Sequence, residues 1–447
     1  MSFLAKEHIV ARPGYSRWLV PPAALCVHLC IGEVYAFSVF NLPLTEAIGI
    51  THQAAADWRL TTLSWIFSLS ICMLGVTAWT CGQWVEQVGP RKAMFVAACC
   101  FGGGLAVSAF GVWTHQIWLL YLGYGVLGGI GEGIGYISPI STLITWFPDH
   151  TGMATGMAIM GFGGGAMIGA PLSVGLMHYF ASATSLGVGK TFVVMGLIYF
   201  CFMSIGAIIV RIPPEGWLPA GYRPPKQSSK LVTNEQVRVQ DAVKTPQFYL
   251  LWLVLFLSVT AGVGVLSQAS AMAQETFPGA ITAVSAAGFV GLLSLFNMGG
   301  RFFWASLSDY IGRKNTYVML FVLSVVLYIS VPSIRATGNV TLFVIVYCMI
   351  ISMCGGGFAT APAYIKDVFG SMHAGAIHGR MLTAVSAAGV LGPVLMSYIR
   401  RYQIDAGVPE ARAYTVTMYI MATLLAIGLL ANLLVHAVDT KHYYRAK

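Results

Sequence analysis

The chain has 447 residues, of which 57% are hydrophobic and 9% are charged, and its mean hydropathy is +0.74. That balance excludes a water-soluble globular fold, which needs far more charge to cover its surface. The net charge of +9 follows the placement of basic residues in membrane loops and does not point to nucleic acid.

Apolar segments long enough to cross a hydrocarbon core are predicted at 18–42, 62–82, 93–112, 117–145, 153–180, 191–211, 248–270, 281–305, 315–333, 339–362, 379–399 and 413–436. Twelve spans make an all-α membrane protein with both termini on one side. Charges and Pro13 interrupt the opening residues, and the apolar stretch that follows is too long for the core of a signal peptide, so the first span is expected to stay. With the termini inside, Arg59, Lys190, Arg335, Arg400, Arg401 and Arg412 fall outside. Eighteen other basic residues, including Arg91, Lys92, Arg223, Lys226, Lys230, Arg313, Lys314, Arg445 and Lys447, fall on the cytoplasmic side. The excess predicts cytoplasmic termini. Residues 212–245, rich in Pro and charge, read as a cytoplasmic linker between six-helix bundles at 1–211 and 246–447. The nine cysteines lie in or beside apolar segments with no metal-ligand spacing, and are expected to be buried small hydrophobes.

The two halves carry the same punctuation. Gly82-Gln-Trp-Val-Glu86-Gln-Val-Gly89-Pro-Arg91-Lys92 ends the second span, and Ala305-Ser-Leu-Ser-Asp309-Tyr-Ile-Gly312-Arg313-Lys314 ends the eighth, with carboxylate and glycine 223 residues apart. Phe147 and Pro171 recur as Phe369 and Pro393 at an offset of 222. Two markers at nearly one offset indicate an internal duplication. Glu86, Arg91, Asp309 and Arg313 form either a charged latch that gates the cycle or a simple topogenic turn.

These loops, on twelve spans in two halves, resemble the major facilitator superfamily, with Glu86 for the usual aspartate, an inserted Pro90, and Ala305 for a glycine. More narrowly, Gly32-Glu-Val-Tyr35-Ala-Phe-Ser-Val-Phe40, Tyr136-Ile-Ser-Pro-Ile-Ser-Thr with Trp146-Phe-Pro-Asp149-His-Thr-Gly152-Met-Ala-Thr-Gly156, and Gly379-Arg-Met-Leu-Thr-Ala-Val-Ser-Ala-Ala-Gly-Val-Leu-Gly-Pro393 resemble the oxalate:formate antiporter family, a relative of the monocarboxylate transporters. The resemblance implies two pseudosymmetric six-helix bundles. It also implies a central cavity open to alternate sides and an arginine on span eight that binds a carboxylate.

Arg301 is that arginine. A guanidinium inside a spanning helix is costly unless it faces a cavity or a partner, which makes it a site candidate by itself. Ser294, Asn297 and Arg301 share one stripe, continued by Trp304 and Ser308, and Asn297 can orient the guanidinium without neutralising it. The competing reading is a snorkelling arginine, since Asp309 lies about 12 Å along the helix. Tyr35, Tyr136, Phe162, Trp304, Phe358 and Ser386 are the further substrate-binding candidates, and the resemblance favours Tyr35 toward substrate. Glu33, about 200° round the helix from Tyr35, and Glu132, in a glycine-rich stretch, are proton-coupling candidates or structural hydrogen-bond donors. His178 and His373 read as interfacial.

Oxalate-transporting relatives carry a second cation, a lysine, on span eleven. Residues 383–396 contain none, and Arg380 at the inner end would have to turn inward to replace it. One fixed cation suits a monocarboxylate such as formate, lactate or pyruvate; oxalate:formate exchange is the alternative, and a transport-inactive receptor on the same scaffold is an alternative of another class. Proton symport and anion exchange both stay open. No catalytic constellation such as His-Glu-x-x-His or Gly-x-Ser-x-Gly is present, so no enzyme activity, cofactor or metal is expected. The expected partners are a small organic anion, the lipid bilayer, and a proton or counter-anion, with the protein a monomer in a bacterial inner membrane.

Overall fold

The computed structural model describes residues 4, 6–50, 54–219, 221, 231–233, 235–281 and 283–444. The central part of the expected linker, with Arg223, Lys226 and Lys230, and the terminal Arg445 and Lys447 lie outside the described residues. The helices in chain order are α1 (Val20–Ile31), α2 (Ser38–Thr45), α3 (Leu60–Val88), α4 (Pro90–Trp113), α5 (Ile117–Leu120), α6 (Gly129–Trp146), α7 (Thr151–Phe180) and α8 (Val188–Ile209). They continue with α9 (Val239–Ala242), α10 (Pro246–Thr276), α11 (Ala283–Ile311), α12 (Arg313–Ala336), α13 (Val340–Phe369), α14 (Ala374–Asp405) and α15 (Thr415–Leu434). Among the described residues eleven helical segments are long and apolar enough to cross a membrane. The 29-residue α11, which carries Arg301, occupies the place of the expected eighth span.

Helix starts follow local chemistry. Pro90 and Pro246 open α4 and α10 at the position where a missing N–H costs nothing, and Thr245 and Asn339 cap α10 and α13 by accepting from the N–H groups of Phe248 and Leu342. The duplication is visible in the starts themselves: residues 60, 90, 117 and 151 open helical segments, and so do 283, 313, 340 and 374, each 223 residues later. Gly89 and Gly312 hold φ of 83° and 84° between α3 and α4 and between α11 and α12, a reversal that favours glycine.

Two of the spans are irregular. The first is broken: Gly32–Ala36 tightens into a 3₁₀ turn between α1 and α2, where Gly32 packs on the backbone of Phe162 with no room for a side chain. The fourth runs from α5 through a π-helical stretch, Tyr121–Gly128, into α6, its glycines pressed against α4 at Gly104. Such stretches are rare and arise where close packing disturbs the usual ladder.

Packing divides the chain into two compact units. The first comprises Met1–Asp149, Met157–Tyr222 and Gly375–Thr383; the second comprises His150–Gly156, Arg223–Ala374 and Ala384–Lys447. The start of α7 therefore packs with the second unit and the start of α14 with the first, whereas a division at the linker alone keeps each helix whole. In the first unit, Arg17 and Asp149 form a two-point ion pair at 2.7 and 2.8 Å. Asp57 knits the loop before α3 by accepting from the N–H groups of Ile48, Gly49 and Ala54. Burial pushes the Asp57 carboxyl up, but these three donors and nearby His115 outweigh it and hold the group below its ordinary value. In the second unit Arg400 pairs with Glu275, which also accepts from the Tyr414 hydroxyl. All nine cysteines are free; Cys30 and Cys348 are buried as expected, whereas Cys99 and Cys201 are exposed on apolar helix faces.

Candidate functional site

In the second unit, α11 presents the stripe read from its sequence. Arg301 is 2% exposed, its Nε donates to Asn297 Oδ1 at 2.8 Å, and its guanidinium carbon lies 4.7 Å from the centre of the Phe358 ring on α13. The amide is neutral, so it fixes the fork of donors without cancelling the charge, and the ring face adds an attraction that keeps the plane oriented. A snorkelling arginine would expose its tip; this one does not. Trp304, one turn on, is absorbed in packing against Leu320 and Met353, with its indole N–H donating to Ser352 Oγ. Ser386 is half-buried on α14.

In the first unit the expected aromatic residues form one cluster. Tyr35 meets Phe162 edge-on with ring centres 5.1 Å apart, Phe162 meets Tyr136 at 5.5 Å, and Tyr136 meets His28 at 5.5 Å. His28 Nε2 also lies 3.2 Å from the Tyr136 carbonyl. Residues 28 and 35 thus share a face, as their spacing suggests.

Glu33 points the other way and is buried. It accepts from Ser173 Oγ at 3.3 Å and from the Tyr199 hydroxyl at 3.1 Å, and Gly169 on α7 leaves the space its carboxyl fills. Glu132 is fully buried and accepts from Ser70 Oγ at 2.8 Å. Both carboxyls are tied to neutral hydroxyl donors on neighbouring helices.

The four loop residues are not equivalent in pairs. Asp309 accepts from the N–H groups of Gly152 and Met153 at 2.9 and 2.8 Å, at the start of α7, and pairs with Arg313 at 2.6 Å. Arg313 also reaches Asp367 and the Thr151 hydroxyl. Glu86 accepts from the N–H of Ala376, at the start of α14, at 2.9 Å. Each carboxylate therefore meets the positive end of a helix. Arg91 instead donates to the carbonyls of Ala207 and Ile208 at the end of α8, and Lys314 does the same to Leu433 and Val435 at the end of α15. Arg91 thus corresponds to Lys314, and Pro90 stands where the second copy has Arg313; the proline is a replacement and not an insertion.

Sequence reasoning passed over His378. It lies on α14 in the part that belongs to the first unit, 2% exposed, with its ring 5.8 Å from that of Tyr136. Among the described residues, no protein group is within hydrogen-bonding reach of either ring nitrogen. The signal that could have found it is the repeat: Gly379 abuts the backbone of Ala78, and 223 residues away Gly156 abuts the backbone of Arg301.

Comparison with known proteins agrees with this architecture. The sequence matches the Major Facilitator Superfamily over residues 23–393 and 300–443. It is 28% identical over 386 residues to the oxalate:formate antiporter of Oxalobacter formigenes, covering 84% of this chain and 83% of that one. It is 23% identical over 437 residues to apicoplast pyruvate carrier 1 of Toxoplasma gondii, covering 79% and 78%. The fold superposes on that of the E. coli fucose:proton symporter with a TM-score of 0.64 at 15% identity, over 93% of this chain and 98% of that one. With its apolar helices and duplicated halves, the chain belongs to the Major Facilitator Superfamily and is an integral, multi-pass membrane protein.

Proposed function

We propose that the protein is a secondary transporter of small organic anions, working by alternating access, with monocarboxylates of the formate, lactate and pyruvate class as cargo. The observation that carries this reading is Arg301: a permanent cation, 2% exposed and oriented by a neutral amide and a ring face. Such a cation binds a planar carboxylate through paired N–H donors. Tyr35, Tyr136 and Phe162 supply the first unit's aromatic surface for recognition, and Asn297, Phe358 and Ser386 assist in the second, with Trp304 positioning α11 against α13. Glu86 and Asp309 act as latches that hold a helix start until the cycle turns over. Both termini lie in the cytoplasm, the protein works as a monomer in a bacterial inner membrane, and a proton or counter-anion moves with each cycle.

Oxalate:formate exchange is the second reading, favoured by the similarity to the Oxalobacter formigenes antiporter. The absence of a cation from residues 383–396 weighs against it, because a second carboxylate would enter without a fixed partner there. Uptake of labelled formate, lactate, pyruvate and oxalate into proteoliposomes, with and without the same anion preloaded, tests both. Transport of oxalate alone refutes the monocarboxylate assignment, and transport of none refutes the function.

A further inference from the structure

We propose that His378 is the residue that takes up a proton during transport, with the transported anion as its charge partner, so that proton and anion load together. This rests on the organic-anion reading above and chooses symport within it.

The ring of His378 is buried with both nitrogens out of reach of any described protein donor or acceptor. Buried polar groups are almost always satisfied, and an exception marks a place where something other than the protein completes the shell. The groups around it are few. From α6 comes Tyr136, in ring contact, and behind Tyr136 stands His28 of α1. From α3 come Ala78 and Gly82, which pack on Gly379 and Ala376, and further along Glu86, committed to the Ala376 N–H. On its own helix the nearest charge is Arg380. Among the described residues no carboxylate hydrogen-bonds to the imidazole, so an imidazolium here would be a buried cation, a state that is costly in the absence of an anion. A proton can therefore settle on an open ring nitrogen only when an anion arrives to share the site.

The internal repeat supports the same role. Gly379, next to His378, abuts Ala78, while its repeat counterpart Gly156 abuts Arg301. His378 therefore adjoins the first unit's copy of the contact that Arg301 makes in the second, and it lies next to Tyr136, the first unit's recognition tyrosine. Glu33 accepts from two hydroxyls, and Glu132 accepts from one while its second oxygen has no partner among the described residues; each carboxyl thus has a neutral hydrogen-bond partner, whereas neither ring nitrogen of His378 has one. A histidine also changes charge nearest neutral pH.

The test compares wild type with His378→Gln in proteoliposomes, using labelled pyruvate and formate, with protein-free liposomes as the blank for passive entry of the acid. Wild type should accumulate label under an inward proton gradient, approaching about tenfold per pH unit for one proton per anion. His378→Gln should lose that accumulation, leaving whatever exchange remains insensitive to the gradient. Accumulation by His378→Gln equal to wild type overturns the inference alone, as does a wild type that exchanges anions but never accumulates them. A wild type that moves no monocarboxylate refutes the proposed function and this inference with it. Should the variant not fold, proton uptake by wild-type protein on pyruvate binding in weak buffer decides: about one proton per anion supports the inference, and none overturns it.

Discussion

Arg301→Gln removes the one cation of the α11 stripe while keeping a side chain of similar reach that can still hydrogen-bond to Asn297. What is lost is a buried charge that meets a carboxylate. Truncating one partner of such a pair costs about 2–5 kcal/mol, which is roughly 30-fold to several thousand-fold in affinity at about 1.4 kcal/mol per decade. Arg301→Lys separates charge from geometry. It retains the cation but gives up the Nε donor held at 2.8 Å by Asn297 and the planar contact 4.7 Å above Phe358, and a charged hydrogen bond is worth about 1.5–3 kcal/mol. The lysine variant should therefore lie between wild type and the glutamine variant. The assay is equilibrium binding of labelled formate and pyruvate to purified protein, paired with counterflow in proteoliposomes and a melting curve to show that the fold persists. Binding by Arg301→Gln within about threefold of wild type, a difference of less than 1 kcal/mol, refutes the anion-anchor reasoning whatever the helix count.

Asp309→Asn should destabilise the second unit by about 3–5 kcal/mol, because it leaves Arg313 beside one fewer charge in a buried network; denaturation in detergent reads this, and an unchanged midpoint contradicts it. Glu86→Gln keeps an acceptor for the Ala376 N–H and should cost only about 1 kcal/mol, the usual worth of one cap at a helix start; a loss as large as that of Asp309→Asn would contradict it. Gly169→Leu places a side chain where the Glu33 carboxyl lies and should lower stability by about 1–3 kcal/mol, read as a reduced melting temperature and contradicted by none. Because the Asp57 value is depressed in the folded chain, its stabilisation is complete above the ordinary aspartate value of about 3.9. It is lost as pH falls through the depressed value, so melting curves should show an acid limb that Asp57→Asn lacks.

The sequence disclosed the fold because membranes leave few options. Runs such as 191–211 and 315–333 have one reading in hydrocarbon, and the 223-residue offset between Glu86 and Asp309 already contains the helix starts at 60 and 283 and at 90 and 313. It disclosed Arg301 because a charge in an apolar run is conspicuous. The unseen features were those without contrast. The 3₁₀ turn at Gly32–Ala36 and the π-helical stretch at Tyr121–Gly128 arise from close backbone contacts with Phe162 and Gly104, which no local pattern announces. His378 was hidden because a histidine at a helix start looks interfacial until its neighbours are known. The swap of helix starts between the packed units, 150–156 and 375–383, depends on partners far away in sequence.

The two loop copies show how a duplication can keep one function while dividing another. Both carboxylates still cap a helix start, and both trailing cations, Arg91 and Lys314, still neutralise the carbonyl end of the last helix of their half. The residue after the turn glycine sets them apart. In the second copy it is Arg313, which ties Asp309, Asp367 and Thr151 into one charged network. In the first it is Pro90, which opens α4 well but offers no donor to Glu86. The second copy thus adds a guanidinium to the two amides that hold Asp309, a charge-assisted bond that a proline at the same place cannot supply.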